Sequence, residues 1–231
     1  MNQHEKFYRK FALGYSAFWL FVAFIGLFVT HAYGSECEGF YPLSKPVSVA
    51  NGVELCNSFY VVQYDEKLNG AIFSAEKFRA GTHPERLNDF HPDYRLSNPA
   101  THRDYLHSGF DQGHMTPAAD ATNETEMHDS FLLSNMSPQE PTLNREAWRI
   151  LEEHVRTLDP DYILTGNIYG NVPKRIGAHQ VPVPDSYYKL AWKDCQIHAW
   201  YAENKPHATV EETTIEIVEV NSGLTFPRCE K

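Results

Sequence analysis

Hydrophobic and polar positions divide the 231 residues into an apolar leader and a mixed globular body. Residues 11–30 are almost wholly apolar, follow Lys6, Arg9 and Lys10, and are closed by the small residues Ala32 and Gly34. That order predicts a secretory signal peptide over residues 1–34. A run of about 20 apolar residues also suffices to span a bilayer, so an uncleaved anchor through residues 11–30 is the second expectation. In the body, 35–58 holds Pro42, Pro46 and Gly52 and reads as loop. Residues 58–64 (SFYVVQY) and 71–74 read as strands joined by a turn at 65–70. Residues 79–109 lack periodicity, and a long irregular segment in a compact domain is usually functional.

Asn123 with Glu126 gives a capping box before a short helix ending near Leu133. Residues 143–158 form the clearest amphipathic helix, with Leu143, Ala147, Ile150, Leu151, His154, Val155 and Leu158 on its apolar face. A strand at 162–165 closes at Gly166, and strands at 187–192 and 196–201 pair through a turn at Lys193-Asp194. Thr209 with Glu212 suggests a second capping box before a helix that stops at Gly223. Strands and helices mix without regular alternation, so the class is α+β, in one domain over 35–231.

Cysteine usage fits export, to a periplasmic or secreted location. Cys37, Cys56, Cys195 and Cys229 all lie beyond the leader, and an even count in an exported chain favours two disulfides. Of the three possible pairings, Cys37–Cys56 with Cys195–Cys229 is expected, because each closes a short segment near one end of the domain. Net charge is −10, and setting the leader aside makes it more negative. This weighs against a polyanion partner, yet a catalyst needs only a local basic cleft. Part of the acidity lies at Glu211, Glu212, Glu216 and Glu219.

Candidate chemistry sits in two segments. In Asp111-Gln112-Gly113-His114 an imidazole follows a glycine that lets backbone approach a ligand closely. An imidazole titrates near working pH and can deprotonate water. About thirty residues on, Asn144, Trp148 and Glu152 are spaced i, i+4, i+8, within a stripe about 80° wide on a helix. An amide oxygen and a carboxylate there suit Mg²⁺, which keeps most of its waters: Asn144 binding directly, Glu152 holding a bound water, Trp148 packing. By spacing alone, an ordinary amphipathic helix reads the same way. Lys174 and Arg175 form a small basic cluster able to contact a substrate backbone.

Together the segments resemble the DNA/RNA non-specific endonuclease family (endonuclease G-like, ββα-metal nucleases). The family signature D-R-G-H stands here as Asp111-Gln112-Gly113-His114, followed by Pro117-Ala118-Ala119. Leu133-Ser134-Asn135-Met136-Ser137-Pro138-Gln139, Leu143-Asn144, Ala147-Trp148, Leu151-Glu152 and the closing Ser222-Gly223-Leu224-Thr225-Phe226 also match, so the likeness covers roughly residues 55–228. It implies a ββα-metal (His-Me finger) fold with a mainly antiparallel sheet flanked by helices. It implies His114 as general base, Asn144 as the direct ligand of Mg²⁺ (with Mn²⁺ as substitute) and Glu152 orienting metal-bound water. Arg86, in Pro84-Glu85-Arg86-Leu87, is the first choice for the family arginine that braces the phosphoryl group, with Arg95 and Arg103 as alternatives, and Asn135 lies in a matching motif that implies contact with substrate. The implied substrates are DNA and RNA, cut with little sequence preference. Gln112 departs from the signature: it keeps a hydrogen-bond donor but loses a positive charge beside the scissile phosphate. That departure and the net charge leave two rival readings, a non-catalytic binding module derived from this fold and a phosphodiesterase for a smaller substrate.

Overall fold

The computed structural model describes residues 37–229 apart from Ser48. The expected signal peptide or anchor, residues 1–34, lies outside the described residues. Among those described, no helix is long and apolar enough to cross a membrane.

The elements are β1 (Gly52–Cys56), β2 (Tyr60–Asp65), β3 (Gly70–Lys77), α1 (His102–Tyr105), β4 (Asp111–His114), α2 (Glu124–Ser130), β5 (Met136–Gln139), α3 (Arg149–Thr157), β6 (Tyr162–Ile168), β7 (Arg175–Ile176), β8 (Val181–Pro182), β9 (Ser186–Lys193), β10 (Gln196–Glu203), β11 (Glu211–Thr213) and α4 (Ile215–Ser222). Seven strands form one antiparallel sheet in the order β1-β2-β3-β6-β9-β10-β11. The β2–β3 turn is fixed by Asp65 Oδ1, which accepts from Lys67 N at 2.8 Å and Leu68 N at 3.0 Å. The β9–β10 hairpin turns at Asp194 and Cys195, both with positive φ.

Both faces of the sheet are covered, and the two-residue period sorts the side chains. On one face Val61, Phe73, Ala75, Leu164, Tyr188, Leu190 and Trp192 pack against Ile215 and Val218 of α4. On the other, Val62 and Tyr64 meet Met115, Met127 and Phe131, while Ile163, Tyr187 and Ala191 meet Trp148, Leu151 and Val155. The same alternation points Glu76, Thr165 and Lys189 from β3, β6 and β9 towards this second layer, which carries the candidate site.

Four expectations need correction. Residues 52–56, within the segment expected as loop, form edge strand β1, paired with β2 and tied by the Cys37–Cys56 disulfide. Residues 211–213 form the opposite edge, β11, so Thr209 is not a cap. The last helix starts at Ile215 with Thr214 as N-cap. Glu211 and Glu212 thus charge an exposed sheet edge, which discourages pairing with another chain. Strand β6 runs through Gly166 rather than ending there, because the Tyr188 ring occupies the space a Cβ would fill. Residues 143–148 form a π-helical turn before α3, and this wider turn shifts the phase so that Ile150 stands 56% exposed. The second disulfide joins Cys195 to Cys229, and both pairs have Cα separations near the usual value, 5.4 and 5.7 Å.

Candidate active site

A two-stranded ribbon and a helix build the site. β4 pairs with β5 in the register Asp111↔Gln139, Gly113↔Ser137 and His114↔Met136. Gly113 is required here, but for an internal reason: a Cβ would collide with the Gln139 side chain, not with a ligand. Behind the ribbon Asn135 fixes the turn that follows His114. Its Oδ1 accepts from Thr116 N at 2.9 Å, and its Nδ2 donates to the carbonyls of Thr116 (2.9 Å) and Ser130 (3.0 Å). Fully buried and with these bonds made, Asn135 is a brace and has no surface to offer a substrate.

From β5 the chain enters the helix, where Glu140 Oε2 accepts from Leu143 N at 2.9 Å. Trp148 turns inward beside Tyr187, so the one-sided stripe holds for Asn144 and Glu152 only. Asp111 links ribbon to helix. Its Oδ2 accepts from Asn144 Nδ2 at 2.9 Å and Arg145 Nε at 2.7 Å, and its Oδ1 accepts from Arg145 Nη2 at 2.6 Å. With Nδ2 engaged, Asn144 keeps its amide oxygen for another partner.

His114 packs edge-on against Phe131 at 5.0 Å and near Phe90 at 5.9 Å between ring centres. Burial, with a smaller contribution from the Arg86 charge, pushes its pKa down to about 3. The imidazole is therefore neutral at working pH. Its Nε2 is shielded and has no hydrogen-bond partner, as does Gln112 Nε2. Such atoms in a cleft call for a ligand or water. The Arg86 guanidinium lies over the Phe131 ring at 5.1 Å.

Beneath the helix lies a buried network that the sequence reading missed. Lys189 Nζ donates to Thr165 Oγ1 at 2.5 Å, stands 3.9 Å from Glu152 Oε1 and 5.5 Å from the centre of the Trp148 ring. Asp120 accepts from Arg156 Nη1 at 3.1 Å. Glu76 hydrogen-bonds Asp120, and burial, reinforced by the Asp120 charge, pushes its pKa well up. Burial raises Glu152 to about 7; Lys189, Arg156 and Arg86 oppose that rise while Asp120 adds to it. The one available signal was polar residues at inward positions of otherwise apolar strands, Glu76 in GAIFSAEK and Lys189 in SYYKLAWK.

These groups converge on one cleft of about 420 Å³, lined by Arg86, Gln112, His114, Asn144 and Glu152 among others. Arg145, Arg149 and Arg156 also line it, so with Arg86 four guanidiniums face Glu152 and Glu153. Local charge is basic despite the acidic whole. The helical spacing 145, 149, 156 was the sequence signal for the three helix arginines. Gln112 Oε1 lies 3.1 Å from His102 Nδ1 at the cleft margin. Lys174 and Arg175 do not line the cleft. Lys174 stacks over Phe110 at 4.7 Å, and Arg175 Nη1 donates to the carbonyls of Leu68 (2.8 Å) and Gln180 (2.6 Å), so Arg175 holds loops together.

Comparison with known proteins agrees with this geometry. The model of the DNA/RNA non-specific endonuclease family matches residues 41–229. The chain belongs to that family. Its members are nucleases that act on nucleic acids with a metal, and the ribbon-and-helix unit is the family's ββα-metal fold. Mitochondrial endonuclease G of Bos taurus is 32% identical over 207 aligned positions, covering 72% of this chain and 66% of that protein. Human endonuclease G gives the same identity with 67% of its length covered, so this chain spans about two thirds of these relatives. Nuclease C1 of Cunninghamella echinulata is 30% identical over 202 positions, covering 72% and 79%. A chain of the crystal structure of the EndoG/EndoGI complex superposes with a TM-score of 0.68 at 26% identity, covering 78% of this chain and 86% of that one.

Proposed function

We propose that this chain is an exported, Mg²⁺-dependent endonuclease that hydrolyses phosphodiester bonds of DNA and RNA without sequence preference. One observation carries the reading: a neutral imidazole with an unpartnered Nε2 and a carboxamide with an unengaged oxygen share a cleft with four guanidiniums. Such a lining supports non-specific cutting where its guanidiniums meet phosphate, because phosphate contacts position a strand and carry no sequence information. Export is supported by the leader pattern and by two disulfides. Mn²⁺ serves as a substitute ion.

The donor set fits a hard divalent ion: the Asn144 amide oxygen as direct ligand and the Glu152 carboxylate beside it, both oxygens on cleft-lining residues. When bound, such a hydrated cation neutralises charge on the phosphoryl oxygens and keeps Glu152 ionised. The protein supplies the rest. Asp111 accepts from the Asn144 N–H and so leaves the amide oxygen as the atom that would hold the ion. Arg86 and Arg145 grip the non-bridging oxygens and place phosphorus over His114. Neutral His114 takes the proton of the attacking water as its oxygen bonds to phosphorus and the P–O bond opposite breaks. The departing alkoxide takes a proton from solvent, and the imidazolium is stabilised by the phosphate's own negative charge until it returns its proton to solvent. Gln112 contributes a hydrogen bond where the family signature has a cation, and Arg145 supplies charge from the helix side.

The test is cutting of supercoiled plasmid, RNA and a small chromogenic diester by the full chain, in Mg²⁺ or EDTA. Expected is cutting of both polymers in Mg²⁺ only. Loss of about 10²–10⁴-fold is expected in His114→Ala with unchanged circular dichroism, the usual worth of a general base. A wild-type chain inert with Mg²⁺, or active only on the small diester, refutes the proposal. The mass of the chain recovered outside the cell checks export and cleavage of the leader.

A further inference from the structure

We propose that Asp89, His91 and His128 form a second metal site, one that takes Zn²⁺ in preference to Mg²⁺ and fastens the 79–101 segment to α2. This does not depend on the nuclease reading. Each residue offers one ligand atom, and all three atoms lie within 4.8 Å of one another. His128 Nε2 is 3.6 Å from Asp89 Oδ2. Tetrahedral zinc, about 2.0–2.2 Å from nitrogen and oxygen ligands, separates them by roughly 3.3 Å. The carboxylate and one imidazole are therefore almost at the required bite already. The two rings are stacked, 4.3 Å between centres and 28° apart in plane, and with the three ligand atoms within 4.8 Å of one another the rings must open from this stack to close on one ion.

The far nitrogen of His91 is the second line of evidence. His91 Nδ1 is 2.6 Å from the Asp89 carbonyl oxygen and donates to it, which puts the ring's lone pair on Nε2. Zinc-binding histidines are typically oriented this way, one nitrogen on a carbonyl or carboxylate and the other on the metal. His128 turns its Nε2 towards Asp89, while its Nδ1, 3.8 Å from Asp129 Oδ1, is beyond hydrogen-bond reach. Two imidazoles and one carboxylate suit Zn²⁺ with a water in the fourth position; Mg²⁺ prefers oxygen alone. The side chains of His128 and Asp89 are 52% and 59% exposed, so an ion enters freely.

None of the three residues lines the catalytic cleft. The backbone of His91 is already bound at the end of α2, its N–H donating to Phe131 O at 3.2 Å and its carbonyl accepting from Leu133 N at 2.9 Å. The neighbouring Phe90 packs on both His114 and Phe131. Zinc would add the missing tie at Asp89, three residues from Arg86, and so hold that arginine's loop without touching substrate.

The full chain, stripped with EDTA and desalted, is titrated with ZnCl₂ by calorimetry, with Co²⁺ as the spectroscopic probe. Expected is one zinc per chain. His128→Ala and Asp89→Asn should each weaken it by roughly tenfold or more, since even a residue that only orients a ligand is worth that much. His114→Ala should leave it unchanged. Co²⁺ should give a four-coordinate visible spectrum that His128→Ala abolishes. Unfolding curves in EDTA verify that the variants are folded. Zinc affinity that survives both Asp89→Asn and His128→Ala, that is lost on His114→Ala instead, or that is absent at millimolar zinc overturns the proposal.

Discussion

Replacing Asp111 by Asn tests whether the carboxylate sets the direction of the Asn144 amide. Asp111 accepts three hydrogen bonds, one from Asn144 and two from Arg145, and its side chain is only 18% exposed. An Asn at this position has one accepting atom and one donating atom. Arg145 can only donate, so it claims the oxygen and turns the new N–H₂ towards Asn144. The Asn144 amide then flips to accept, presenting its own N–H₂ where the cation must bind. Loss of a hydrogen bond to a charged group costs about 1.5–3 kcal/mol. At about 1.4 kcal/mol per tenfold, this predicts a 10- to 150-fold rise in the Mg²⁺ concentration that half-saturates plasmid cutting. Arg145→Met is the control. Arg145 is 69% exposed, and an exposed pair contributes at most about 1 kcal/mol to stability. Its removal should slow cutting through substrate binding while leaving the Mg²⁺ midpoint within about threefold. A Mg²⁺ midpoint unchanged in Asp111→Asn, or shifted equally in Arg145→Met, refutes the reasoning.

Three further outcomes follow from the same geometry. Burial raises Glu152 to about 7 in the folded, metal-free chain against 4.5 unfolded, so its stability contribution is complete below pH 4.5 and lost as pH rises through 7. Urea unfolding in EDTA should show Glu152→Gln gaining on wild type by up to about 3 kcal/mol between pH 5 and 8, and parallel pH profiles would contradict the assignment. Gly113→Ala drives a methyl into the Gln139 side chain and should cost about 1–3 kcal/mol as an overpacking change. Because the Gln139 Cβ is one of the colliding atoms, thermal stability should recover in Gly113→Ala/Gln139→Gly but not in Gly113→Ala/Gln139→Ala, and equal behaviour of the two would place the clash elsewhere. Gln112→Arg adds a fifth guanidinium at the cleft, so cutting at low salt should rise and its logarithmic salt slope steepen by about 1; an unchanged slope would mean that residue 112 does not meet phosphate.

Local signals in the chain specified most of the central sheet and the chemistry. Alternation in 58–64 and 187–201, the Asn123 cap and the motif order around His114 and Asn144 each act over a few residues. A linear reading can therefore find them. The two sheet edges were not legible in this way. Gly52–Cys56 alternates only over Val53 and Leu55, beside Pro42 and Pro46, and Glu211–Thr213 does not alternate at all; both become strands because β2 and β10 present unpaired backbone. The candidate site divides along the same line. The motifs marked His114, Gln112, Asn144, Glu152 and Arg86, but only packing assigned work to their neighbours. Asn135 is consumed as a brace, Arg175 ties loops, Gly113 yields to Gln139, and the helix arginines turn a negatively charged chain into a basic cleft. The Glu76–Asp120–Lys189–Glu152 network lay furthest from view, since its members are distant in sequence and meet only where three strands, a turn and a helix stack. Residue types and short-range periodicity are properties of the chain itself. Desolvation, which pushes His114 to about 3 and Glu152 to about 7, exists only once distant segments have excluded water from the same volume.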